Sequence, residues 1–143
     1  MKMLKTIILG IWQAPQNLVG LLFLGILKLR KEIRYSYAYK DCIVFYFDAS
    51  LLSGGSLGNF IFMGGARTQY KETFEIPHEY GHYKQSLLFG PLYLIIIGIP
   101  SILNNLLARK LLKGKSFKEQ IKWYYSRYPE RWADILGDVP SRW

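Results

Sequence analysis

Apolar residues in this chain gather into two long runs, Thr6 to Leu27 and Leu87 to Leu107, with a stretch of alternating polarity between them. The first run would give about 33 Å of helix, enough to cross a bilayer. Pro15, Gln16 and Asn17 sit in its middle. Proline removes a helical hydrogen bond and two amides demand polar partners, so a bent or broken helix is predicted. The second run is punctuated by Gly90-Pro91, then by Gly98 and Pro100. Leu87 to Ile99 makes about 20 Å of helix, short of a hydrocarbon core about 30 Å thick. The pattern therefore predicts a helical hairpin turning at Gly98-Ile99-Pro100-Ser101, with Ser101 capping a second arm that stops at Gly114.

Between the runs, Ile33, Tyr35, Tyr37 and Tyr39 alternate with Arg34, Ser36, Ala38 and Lys40. Period two is the mark of a strand with one covered face. Cys42 to Asp48 reads as a second, more deeply buried strand, Ser50 to Gly58 as a glycine-rich loop, and Leu57 to Gly65 as a third short strand. Together they predict a small antiparallel sheet. Ile76 opens a helix with Pro77 at its first position, where the missing N–H costs nothing. Ser116 to Glu119 has the capping-box pattern, and Pro129 starts a last helix that Gly137 closes. The fold class is α+β: a small antiparallel sheet packed on helices, with a membrane-embedded or membrane-associated helical hairpin. Residues 1–143 form one domain, with an apolar helix at 1–28, the sheet at 33–65, a helix and apolar hairpin at 76–113 and C-terminal helices at 116–137.

Charge sharpens this picture. The formal net charge is +9, and basic residues crowd the ends of the apolar runs: Lys28, Arg30, Lys31 and Arg34, then Arg109, Lys110, Lys113 and Lys115. Such flanks suit anionic membrane lipids, whereas a nucleic-acid partner would favour charges lining one face. Lys/Arg excess marks the cytoplasmic side, so a membrane location with the functional site facing the cytoplasm is expected. The basic, apolar N-terminus resembles a signal peptide or anchor, but no small-residue cleavage site follows and retention is expected. With Cys42 the single cysteine, neither an intrachain disulfide nor a cysteine-rich zinc site can form.

The chain has two histidines, His78 and His82, and both lie in one H-E-x-x-H motif. Residues four apart share a helix face, so both imidazoles can serve one Zn²⁺ while Glu79 acts as base on a zinc-bound water. A catalytic zinc usually has three protein ligands. No third histidine exists, so the remaining ligand is a carboxylate or Cys42. In "PERWADILG", Glu130 and Asp134 are four apart on one predicted helix. Glu130 is assigned as ligand, and Asp134 as the group that takes the N–H of a zinc histidine. Tyr124, Tyr125, Tyr128, Arg127 and Arg131 are nearby candidate electrophiles.

H-E-x-x-H followed by E-x-x-A-D resembles the gluzincin metallopeptidases. It is most like the membrane-associated CAAX-processing and HtpX-like proteases and the BlaR/MecR sensor proteases. The matching residues are His78, Glu79 and His82, then Glu130, Ala133 and Asp134. The resemblance implies zinc binding by His78, His82 and Glu130, catalysis by Glu79, and support of a histidine by Asp134. It also implies that the strand before the zinc helix, through Asn59, Phe60 and Ile61, receives an extended peptide by edge pairing. The expected activity is hydrolysis of peptide bonds in membrane-proximal protein segments. The alternatives are a non-catalytic membrane protein with a structural or vestigial zinc site, and a zinc hydrolase of a lipid-like substrate.

Overall fold

The computed structural model describes residues 2–48 and 54–142. Among these, four strands form one sheet: β1 (Ile33–Tyr39), β2 (Cys42–Phe47), β3 (Gly54–Leu57) and β4 (Phe60–Gly64). Their order is β1-β2-β4-β3. The expected antiparallel sheet is corrected to a mixed one, because β2 and β4 run parallel while β1–β2 and β3–β4 are antiparallel. The unexpected strand is β3, which occupies half of the predicted glycine-rich loop; residues 50–53 of that loop lie outside the described residues. Gly-Gly-Ser has little strand propensity, so pairing with β4 rather than local preference makes this strand.

Helices cover both faces of the sheet. Val44, Tyr46, Ile61 and Met63 pack against Ile76, Tyr80 and Tyr83 of α3 (Ile76–Phe89). On the opposite face, Phe45, Phe47 and Phe62 pack against Leu24 and Leu27 of α2 (Ala14–Leu29). Alternate β2 residues thus feed two cores, which explains why that strand reads as nearly continuously apolar.

The N-terminal helix is broken as expected, into α1 (Lys2–Trp12) and α2, with Gln13 between them. The amides at the break dock on the end of α3. Gln13 and Gln16 are fully buried, and each donates from Nε2 to Ser86 Oγ at 2.7 Å. Pro91 leaves the Leu87 carbonyl without its helical donor, and Trp12 Nε1–H donates to it at 2.9 Å. Gln16 Nε2 also donates to the Gly90 carbonyl, and Gly90 turns the chain there with φ +50°.

The predicted hairpin at Gly98-Ile99-Pro100-Ser101 does not form. A π-helical turn, Leu94–Gly98, runs straight into α4 (Ile99–Leu111). Pro100 cannot donate to the Ile96 carbonyl, which instead accepts the Tyr128 hydroxyl at 2.7 Å. Pro77 is handled alike: the π-helical turn Lys71–Glu75 precedes α3, so the helical path begins before Ile76. In both places a wider turn absorbs the proline where sequence rules predict a boundary. The chain reverses after α4 instead, and α5 (Phe117–Tyr125) packs back along it, opened by the expected Ser116–Glu119 capping box.

Leu94–Leu111 is long and apolar enough to cross a membrane by length and composition. Ile95, Ile99, Ile102 and Leu106 form one exposed stripe along it, at helical spacing. A second exposed stripe, Leu18, Leu22, Ile26 and Leu29, runs along α2.

Candidate metal centre

The site is built where α3 crosses α6 (Glu130–Leu136). Two glycines permit backbone contact there. A Cβ on Gly81 would lie 1.9 Å from the Ala133 carbonyl oxygen, and one on Gly137 would lie 2.0 Å from that of Pro77. This approach brings Glu130 onto the histidine face of α3. The carboxylate Oε2 of Glu130 lies 3.1 Å from His78 Nε2 and 3.2 Å from His82 Nε2. One ligand atom from each of the three residues falls within 4.8 Å of the others, and all three side chains are buried. The group could hold a metal ion.

Hydrogen bonding on the far side of each ring decides what the near side offers. His78 Nδ1 is 2.7 Å from Asp134 Oδ1. An ionised carboxylate only accepts, so Nδ1 donates. His82 Nδ1 is 2.7 Å from Gln85 Oε1, while Gln85 Nε2 donates to the Pro129 carbonyl at 3.1 Å. That second bond fixes the amide with its oxygen toward the ring, so His82 also donates from Nδ1. In neutral rings both Nε2 atoms are then acceptors, aimed at an acceptor oxygen. Three converging acceptors require a cation between them, whether proton or metal. Glu130 Oε1 is moreover buried without a hydrogen-bond partner.

Charge leads the same way. Arg142 pairs with Asp134, contacting it at 3.0 and 3.1 Å, so that carboxylate is already neutralised. Among the described residues no lysine or arginine makes a comparable ion pair with Glu130 or Glu79, both buried, and a divalent ion would balance them. Burial opposes charge on His78, but bonds to Asp134 and Glu130 prevail and raise its pKa to about 9. Burial would likewise raise Glu130, yet the two histidines reverse this and hold it below the usual carboxylate range. For Asp134 burial again acts upward, and His78 and Arg142 bring the net shift down.

Glu79 is buried beside His78, His82 and Glu130. Burial pushes its carboxyl upward, with His82 and His78 opposing. Its Oε1 faces Gly54 of β3, where a Cβ would approach within 3.3 Å. A cleft of about 310 Å³ opens here, bounded by Gly54, by Glu75 of the π-helical turn, by His78 and Glu79 of α3, by Asn105 of α4 and by Tyr124 of α5.

The structure thus brings His78, Glu79, His82, Glu130 and Asp134 together. It does not bring Cys42, which lies in the sheet core with burial lifting its thiol to about 12. Asn59, Phe60 and Ile61 are not at a free edge, because β4 is paired on both sides. Asn59 is spent on Asp41 and Asn17, Phe60 faces Phe45, and Ile61 is core. The sheet edge beside Glu79 belongs to β3. Of the candidate electrophiles, Tyr124 and Tyr125 line the cleft. Tyr128 is tied to Ile96, Arg127 covers the Trp123 ring, and Arg131 is exposed. Gln85 and Arg142 were missed. Gln85 sits three residues after His82 on one helix and so had a positional signal; Arg142, in an irregular tail, had none. Comparison of the chain with protein-family models, with curated proteins and with solved structures found no match.

Proposed function

We propose that this protein is a membrane-associated, zinc-dependent metallopeptidase of gluzincin type. The observation that carries the reading is the convergence of His78, His82 and Glu130 through acceptor atoms alone, with both Nδ1 atoms committed elsewhere as donors. Two imidazoles and a carboxylate form a donor set that suits Zn²⁺ and leaves a fourth position free. Bound there, the ion would supply Lewis acidity to a substrate carbonyl and lower the pKa of water.

The chain's own residues do the rest. Glu79 takes a proton at its carboxylate and delivers it to the departing amine, a role helped by a pKa raised through burial. Asp134 and Gln85 fix the ring orientations. β3 is an outer strand of the sheet and lies beside Glu79, and such an edge can pair with an extended backbone, so a peptide is the substrate class this reading favours. The cleft sets Glu75, Asn105 and Gln120 beside Ala108, Phe117 and Ile121, a mixed lining that offers a peptide both hydrogen-bond partners and apolar contacts.

The exposed stripes on α2 and α4, together with the basic residues flanking them, support seating on an anionic membrane surface facing the cytoplasm. Because α5, with exposed Lys118 and Lys122, lies against α4, the reading favours helices laid into the bilayer surface over an isolated span. The direct test is hydrolysis of a quenched fluorescent peptide library by detergent-purified protein. Wild type should cleave and Glu79→Gln should not. Equal cleavage by both would defeat the assignment of the base.

A further inference from the structure

We infer that Arg142 is a positioning residue of the metal centre, clamping His78 from two sides through Asp134 and Tyr125. This rests on the metal-centre reading above. The Arg142 side chain is only 2% exposed, which is costly for a cation unless its donors are used. They are used: Nε donates to Asp134 Oδ2 at 3.1 Å and Nη2 to Asp134 Oδ1 at 3.0 Å, a two-pronged contact. Nη2 also donates to the Phe74 carbonyl and Nη1 to the Tyr70 hydroxyl, both at 3.2 Å. The guanidinium carbon lies 3.6 Å from the centre of the Tyr125 ring.

Each of the first and last contacts leads on to His78. Asp134 Oδ1 receives the His78 Nδ1 proton. The Tyr125 ring meets the His78 ring edge-on, with centres 4.9 Å apart and planes at 88°. Arg142 therefore holds both the group that orients His78 and the ring that packs beside it. It also ties three segments into one unit: the tail after α6, Asp134 on α6, and the turn that leads into α3. Neutralising Asp134 has a further consequence, since that carboxylate then serves as acceptor for His78 without competing for the metal's charge. Lysine cannot reproduce this, because one ammonium cannot span both carboxylate oxygens in plane while stacking on tyrosine.

The test is Zn²⁺ affinity, by competition with a chromophoric chelator, and the Co²⁺ absorption spectrum for wild type, Arg142→Lys, Arg142→Gln, Asp134→Asn and the Arg142→Gln/Asp134→Asn pair. Arg142→Gln should weaken Zn²⁺ binding by about tenfold or more and shift the Co²⁺ spectrum. Arg142→Lys, which keeps the charge and guards against loss of folding, should shift the spectrum and restore only part of the affinity. The double variant should lose far less than the product of the single losses, because both act through one hydrogen-bond chain. Wild-type affinity and spectrum in Arg142→Lys, or losses that multiply, would overturn the clamp while leaving the metal centre intact. A wild type that binds no Zn²⁺ would overturn both.

Discussion

Gly81→Ala is the smallest change that should dismantle the site. Alanine in a helix interior ordinarily stabilises by about 1 kcal/mol relative to glycine. Here the new Cβ would lie 1.9 Å from the Ala133 carbonyl oxygen and 2.6 Å from its carbon. Both are backbone atoms of α6, so no side chain can swing aside. Opening the contact to about 3.4 Å, an ordinary van der Waals separation, displaces α6 from α3 by roughly 1.5 Å. Glu130 is the first residue of α6 and moves with it. Metal–ligand distances tolerate about 0.2 Å, so the displacement is several times what the centre can absorb. The overpacking itself should cost about 1–3 kcal/mol. Metal content after gel filtration and a thermal melt read the two effects separately. Gly81→Ala should lose the metal and melt lower. Gly25→Ala, where no atom lies within 4 Å of the new Cβ, should do neither. Wild-type metal content in Gly81→Ala would refute the idea that close helix crossing sets the ligand geometry.

Gln85→Leu leaves His82 Nδ1 without its acceptor, while the Pro129 carbonyl keeps the Ala133 N–H, and should weaken metal binding about 10- to 100-fold, read by chelator competition. The His78 pKa, raised from 6.5 to about 9, makes metal uptake proton-linked. At pH 7 binding should release about one proton, and affinity should rise between pH 6.5 and 9, by calorimetry in buffers of different ionisation heat. The same raised pKa stabilises the metal-free fold fully below pH 6.5, and that contribution should vanish as pH rises through about 9 in pH-dependent melts. Ile102→Asp, on the exposed stripe of α4, should change stability by no more than about 0.5 kcal/mol yet reduce flotation with anionic liposomes.

Where residues carry their own chemistry, the site was legible in the sequence. His78, Glu79 and His82 declare a shared helix face, and Glu130 and Asp134 repeat the spacing on a second helix that does cross the first. Tertiary effects were not legible. The strand at Gly54–Leu57 has no propensity of its own and exists because β4 pairs with it. The helix through Pro100 persists because Tyr128, distant in sequence, supplies the hydrogen bond that proline removes. The free sheet edge was placed one strand too far in, since the crossover from β2 to β3 leaves no local mark. Arg142 lies in a tail without periodicity, so only its folded contacts reveal it.

The central claim is a three-ligand zinc site with a separate base. Metal content of detergent-purified wild type, Glu130→Gln and Glu79→Gln tests it most directly. The account predicts about one zinc per chain in wild type and in Glu79→Gln, and none in Glu130→Gln. A wild type without zinc, or a Glu130→Gln protein that keeps it, would contradict the account.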